Sequence, residues 1–585
     1  MDMNGNGFIK QFNAALDAVN GVIWHNVVLY AVLGVGVLFT LWTGFCQYRA
    51  LTHGVAVTRG KYDDKNDPGA INHFQALSAA LSATVGLGNI AGVAVAIVLG
   101  GPGAVFWMWM VGIVGMALKT TEVTLSMIYR NTDDPENPHG GPMFVASKGF
   151  AKMGLGGVGK VVGGIFVITL LISTITGGNM FQAWNVADIT NQYFGVPQVA
   201  VGIFLSGLVG MVIIGGIKRI GAVAGRLVPF MCGLYLLAAL YVLGMNFGQI
   251  PDMLKLIVVE AFSPTEAQGA FLGGTAGYAL LWGMKRALFS SEAGQGSSPI
   301  AHSAAKTDEP VREGIVAGLE PFIDTIVVCT LTSLVILSTG VWNRSADLQF
   351  VEPPAVIALP DGAGSTLAPA EVLPIDSPDL RAGVTVFTVV SAQKNKDTGL
   401  TLHKFGGKLR VEGEGDSARY FIDWTGSATA AGEITLAETG AYFDYKGATL
   451  TAKAFDSVTP GLGMWLVTFA AWLFALSTAI SWSYYGEQGV VYLFGLRAVM
   501  PYKLVYCLLI IVASVPQLIA TDAQLDNLTA LGTGVMLWAN IPIMLVFGAI
   551  AMRAYHDYFR RLKRGEMHPH TAPPIADVIE GHDVE

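Results

Sequence analysis

Apolar stretches long enough to cross a lipid hydrocarbon core recur eleven times along this chain, and nothing else in it limits the fold as strongly. A core of ~30 Å takes about 20 helical residues to cross. The stretches lie at 22–47, 72–99, 103–128, 158–190, 197–216, 220–245, 268–289, 314–340, 461–488, 503–520 and 527–551. With 52% hydrophobic and 13% charged residues, the composition excludes an ordinary soluble domain. The expected fold class is an all-α polytopic membrane protein. In lipid, non-helical backbone survives at depth only where it is buried in protein or lines a polar cavity. One stretch breaks the helical pattern: SAALSATVGLGNIAGVAVAIVLGGPGAVFWMWM, Ser78 to Met110, is interrupted by glycines at 86, 88, 92, 100, 101 and 103, with Asn89 beside the densest cluster. A cavity is expected there.

Lys and Arg alternate cleanly between successive loops. One side collects Arg49, Arg59, Lys61 and Lys65, then Arg130, Lys148, Lys152 and Lys160, then Lys218, Arg219 and Arg226, then Lys285, Arg286, Lys306 and Arg312, and finally the basic run from Arg553 to Arg564. The basic side is expected to be cytoplasmic, which puts the N-terminus outside and the C-terminus inside. No basic region followed by an apolar stretch and a cleavage site opens the chain, so no cleaved signal is expected. The cysteines, Cys46, Cys232, Cys329 and Cys507, form no CxxC pair, which argues against disulfides and zinc.

Between Val341 and Pro460 the composition changes. GVTVFTVVSA, GKLRVEGE, ARYFIDWTG and GATLTAKAF alternate apolar and polar residues between turn-rich segments, the pattern of half-buried antiparallel strands. The expected organisation is a first transmembrane part (1–340), an inserted extracytoplasmic β domain (341–460), a second transmembrane part (461–551) and a cytoplasmic tail (552–585). The Pro-rich start of the insertion, near Ala346 to Pro374, reads as an extended linker, and the acidic tail after Met567 reads as disordered.

A second glycine-interrupted apolar segment, Gly269 to His302, lies five spans after the first. Inverted-repeat transporters place discontinuous helices at corresponding positions of their two halves, with half-helix ends facing a midplane site. The pattern therefore predicts a 5+5 core preceded by one extra helix (22–47). Free N–H groups at a half-helix N-terminus suit a carboxylate; Gly86, Gly88 and Asn89 would supply them, while carbonyls around Thr84 would face a cation. Asn89 alternatively caps loose backbone. Gln182, in an apolar helix, needs a partner at depth, either a ligand or a neighbouring helix. Gly273, Gly274 and Thr275 would form the opposing break and leave a small pocket that excludes larger side chains. Ser477, Thr478 and Ser481 fall at i, i+1 and i+4, so at least two hydroxyls share a face, unless they bond back to their own helix. Trp482 walls the pocket or belongs to an interfacial belt.

The runs VGLGNIAGVAVAI and GGPGAVFWMWMVG (85–112), GNMFQAWNVA (178–187), ALFSSEAGQGSSPIAHSAAKTDEPVREG (287–314) and FALSTAISWSYYGE (474–487) resemble the alanine/glycine:cation symporter family, which has the leucine-transporter fold. Gly112 departs from the Ser, Thr or Ala usual there. The resemblance implies a sodium-coupled importer of alanine or glycine in the cell membrane, not an enzyme, with Na⁺ as coupling ion and no other cofactor. It implies no nucleic-acid partner and says nothing of a partner for the β domain, so two alternatives stay open: a proton-coupled transporter of another small solute, and a transporter-like sensor whose β domain binds a ligand or partner. It puts Gln182 in the amino-acid site and makes Ser477 and Thr478, with Thr84 and Ser481 nearby, the sodium candidates. Glu122, Asp324 and Glu487 are the intramembrane acids that proton coupling would use. In the loop 290–312, SSEAGQG lacks a nucleophile elbow. His302 and Glu292 there suit an intracellular gate, and Lys306, Asp308 and Arg312 read as loop charges.

Overall fold

The computed structural model describes residues 5–64, 66–358, 365–394, 399–413, 418–425, 434–515 and 522–567. The acidic tail after Met567 lies outside the described residues. Among those described, seven helices are long and apolar enough to cross a membrane, and two bent pairs pass the same test together. One bent pair is α1 (His73–Thr84), which Asn72 and Gln75 close with a reciprocal capping box, followed after a short 3₁₀ turn by α2 (Ala91–Gly100). The halves meet at 57°.

The remaining elements that position the site are α3 (Gly103–Tyr129), α4 (Gly156–Phe194), α5 (Gly216–Met245), α6 (Ala276–Ser291), α7 (Pro310–Ser338), α8 (Gly447–Asp456), α9 (Gly463–Phe494) and α10 (Asp522–Arg564). Helix α3 packs along α6 and the start of α7, while α9 crosses α1, α4 and α5. Single π turns interrupt α4 at Thr176–Met180 and α7 at Phe322–Cys329. Such bulges free a carbonyl from the helical ladder, and the one in α4 leaves the Gly177 carbonyl to accept from Gln182 Nε2 at 3.0 Å.

Between Leu348 and Phe443 the chain forms a seven-stranded antiparallel sheet centred on Thr385–Ser391, Leu402–Glu412 and Arg419–Trp424. Its apolar core gathers Val386, Leu409, Ile422 and Phe443. Two sequence expectations need correction. The Pro-rich stretch is not only a linker: Leu348–Gln349 and Ala370–Val372 join the sheet. The stretch 447–455 is not a strand but α8, which packs on α2. Ala448 through Ala452 are all buried, so alternation there carries no information about which face is covered.

The charge pattern also misplaces two residues. Lys285 and Arg286 lie within α6 and not in a loop: Lys285 Nζ stands 4.5 Å from the Trp282 ring centroid, and Arg286 is buried. Arg312, read as a loop charge, is buried at the start of α7 and donates to the Tyr62 carbonyl at 2.8 Å.

Candidate functional site

Helix α1 stops because Val85 and Gly86 leave helical geometry, and Gly86 adopts an extended conformation (φ −136°, ψ −159°). A β-carbon at Gly86 would collide with Thr478 Oγ1, so α9 approaches the break as closely as only glycine permits. The orphaned Gly86 N–H donates to Asn89 Oδ1 at 2.8 Å. Asn89 Nδ2 donates in turn to Ser290 Oγ at 3.0 Å and to the Asp324 carboxylate. One fully buried amide thus ties the break to α6 and α7. Its side chain caps backbone, and the Gly86 N–H is occupied by it.

A second break follows α6. Glu292 takes left-handed geometry (φ 53°), uncommon for a residue with a side chain, and helical structure resumes only at Ser298–His302. The discontinuity therefore lies at Glu292–Ser297, not at Gly273–Gly277 as the glycine count suggested. Gly274 pairs with Thr265, and Thr275 caps α6 by accepting from the Tyr278 N–H at 3.2 Å. Neither lines the cavity described next.

The two breaks enclose a cavity of about 10 Å³, room for about one water. Thr84, Gly86 and Gly88 line it from the first break, Phe289 and Ser290 from α6, Gly177 and Gln182 from α4, and Thr478 and Trp482 from α9. Six residues singled out in the sequence therefore meet in one place. Among the described residues, Gln182 Oε1 and Thr478 Oγ1 are both buried without a hydrogen-bond partner, and both point to the same spot: a β-carbon on Gly86 would collide with Thr478 Oγ1 and stand 3.7 Å from Gln182 Oε1. Unpaired buried oxygens are costly, so this convergence is a place for a cation or a donor.

Trp482 is buried against Gly178, where any β-carbon would clash with its ring, and packs edge-on to Tyr485 at 5.3 Å. Its neighbour Trp465, by contrast, is 65% exposed and suits an interfacial belt. Ser477 does not line the cavity: its hydroxyl meets Ser82 Oγ at 2.6 Å, stitching α9 to α1. Ser481 Oγ is buried and unpartnered one turn further along. Phe289, Ser290, Gln295 and Thr533 also line the cavity and were not anticipated; the glycines at 294 and 296 flanking Gln295 were the available signal.

Beyond the second break lies a buried ionic network. Lys119 Nζ stands 3.4 Å from Glu320 and 3.8 Å from Glu122. His302 bridges Glu320, at 2.7 Å, to Glu313, and His73 also contacts Glu313. Glu122 accepts from the Gly296 N–H at 3.1 Å, and Glu292 accepts from Ser297 Oγ at 2.5 Å. The network therefore holds the interrupted backbone in place with charged acceptors.

Comparison with known proteins identifies the family. The model of the "Sodium:alanine symporter family" matches residues 9–358 and 417–572. The chain is 35% identical over 497 residues to the sodium/alanine symporter AgcS of Methanococcus maripaludis, covering 85% of this chain and 87% of that protein. It is 31% identical over 549 residues to the putative sodium/proton-dependent alanine carrier protein YrbD of Bacillus subtilis, covering 94% and 93%. Among solved structures, the manganese transporter of Eremococcus coleocola superposes with a TM-score of 0.44 at 12% identity, covering 84% of this chain and 83% of that one. The chain belongs to the sodium:alanine symporter family, a family of amino acid:cation symporters and not of enzymes.

Proposed function

We propose that this protein is a multi-pass membrane symporter that couples Na⁺ to the import of a small neutral amino acid, alanine or glycine, by alternating access. Its eleven spans form an inverted 5+5 core behind one extra helix, with the N-terminus and the sheet outside and the C-terminus in the cytoplasm. The observation that carries this reading is the convergence of two unpartnered buried oxygens, Gln182 Oε1 and Thr478 Oγ1, on the broken backbone at Gly86.

An ammonium brings donors, and Gln182 Oε1 is an acceptor that an apolar helix would otherwise leave unsatisfied. A carboxylate needs donors, which the open N–H groups of the N-terminal turn of α2 supply. Na⁺ requires several oxygens and no full negative charge. The Thr478 hydroxyl and the carbonyls released after Thr84 meet that need where α1 crosses α9, with Ser481 one turn away. A cation bound there would fix the unwound segment at Gly86 and raise amino-acid affinity; the amino acid would raise cation affinity by the same factor.

Uptake of labelled alanine into liposomes under an inward sodium gradient tests the reading. Accumulation that collapses without the gradient is expected, and none under any gradient would sink it. Thr478→Val keeps the shape and deletes the hydroxyl. It should raise the sodium concentration for half-maximal uptake about threefold to tenfold, and an unchanged sodium dependence would remove Thr478 from the ion site.

A second reading, proton coupling, is favoured by one observation. Asp324 is fully buried directly behind the break, bonded to Ser290 Oγ at 2.9 Å and Thr325 Oγ1 at 2.7 Å. Uptake driven by a pH gradient alone would select it.

A further inference from the structure

A larger cavity, about 490 Å³, lies between the membrane helices and the sheet, and its wall chemistry differs from that of the inner one. Lys404 Nζ stands 3.6 Å from Asp444 Oδ1 and Lys446 Nζ stands 3.2 Å from Asp444 Oδ2, so two ammonium groups converge on one carboxylate. Arg286, buried on α6, faces them from the membrane side. Helix α8 begins in the wall at Gly447 with no side chain capping its first turn, which adds N–H dipoles of the same sign. Trp282 contributes an indole N–H that meets no acceptor. Among the described residues the lining carries three cationic side chains and two carboxylates, Asp17 and Asp444.

The floor of this chamber is apolar and thin. Phe181 belongs to its lining and Phe289 to that of the inner cavity. The two rings meet edge to face at 5.0 Å, so one aromatic pair separates the compartments. Lys404 lies in 359–416, the stretch the family match skips.

We propose that this chamber is a second, outer amino-acid site, in which Lys404, Lys446 and Arg286 hold the carboxylate of a small zwitterion and Asp444 faces its ammonium, before the solute passes the Phe181–Phe289 pair. The proposal rests on the symporter reading. A donor-rich wall above an aromatic floor binds such an ion loosely, because the chamber is wider than the solute and its charges remain partly hydrated. Loose binding suits a waiting position, since it raises the local concentration without trapping the solute.

The test uses the purified full-length protein in sodium buffer with labelled alanine. Equilibrium binding should show two classes of site. Gln182→Ala should weaken the tighter class about tenfold to a hundredfold and leave the weaker unchanged. Propionate, which keeps the carboxylate, should compete for that weaker class, and ethylamine should not. Adding Lys404→Gln should remove it, and Lys404→Arg should retain it. In uptake, Lys404→Gln alone should raise the half-saturating alanine concentration about fivefold. A single class of site in the unaltered protein, or Lys404→Gln and Lys446→Gln that change neither binding nor half-saturation, overturns the outer site while leaving the symporter standing. If the unaltered protein neither binds nor moves alanine, both fail together.

Discussion

Replacing Lys119 with methionine should cost about 3–5 kcal/mol of stability and deplete the folded protein from the membrane. The ammonium is the one lysine of a network in which Glu122, Glu292, Glu313 and Glu320 are all buried with it. Its removal leaves Glu122 without its cation and Glu320 with His302 alone. A buried pair contributes little net stability, because desolvation offsets attraction, but an orphaned member is severely penalised. The double change Lys119→Met with Glu320→Gln should therefore recover much of the loss. Thermal unfolding in detergent, read by loss of monodisperse protein, checks both variants. A Lys119→Met midpoint equal to that of the unaltered protein would mean that the carboxylates are already neutralised some other way.

Gln182→Ala should weaken alanine binding about tenfold to a hundredfold, the range for a lost hydrogen bond to a charged group, with little effect on folding. Among the described residues the amide makes one side-chain hydrogen bond, to the Gly177 carbonyl, and leaves Oε1 unpaired, so truncation removes an acceptor that these residues do not use. Direct titration of purified protein with alanine measures it. Unchanged affinity would place the ammonium elsewhere and return Gln182 to a helix-bracing role.

The first break was readable because its signal is local. Gly86 and Gly88 stand in an apolar run, where their backbone freedom has no cheap explanation, and the spacing of Thr478 and Trp482 along a helix follows from sequence alone. The second break was misread because its residues are polar. SEAGQG between Ser291 and Gly296 looks like an ordinary solvent loop, and only the tertiary positions of Glu122 and Asn540, which accept from and donate to it, keep it buried at depth. Asn89 was recognised as special, but its tie to Asp324 spans 235 residues and no local pattern carries it. Helix α8 failed for the opposite reason: a segment buried on nearly every side has no face for periodicity to report.

Helix α8 also carries a consequence in time. Thr451 Oγ1 donates to the Ile90 carbonyl at 2.9 Å across 361 residues of sequence. That carbonyl lies at the head of α2, where it also accepts the first helical bond, from the Ala94 N–H at 3.4 Å. During synthesis at about 5–20 residues per second it waits about 20 to 70 s before its partner has been made. The bond that fixes α8 on the head of α2 is therefore completed only once nearly four-fifths of the chain has emerged, so the first broken helix is made long before the segment that clamps it.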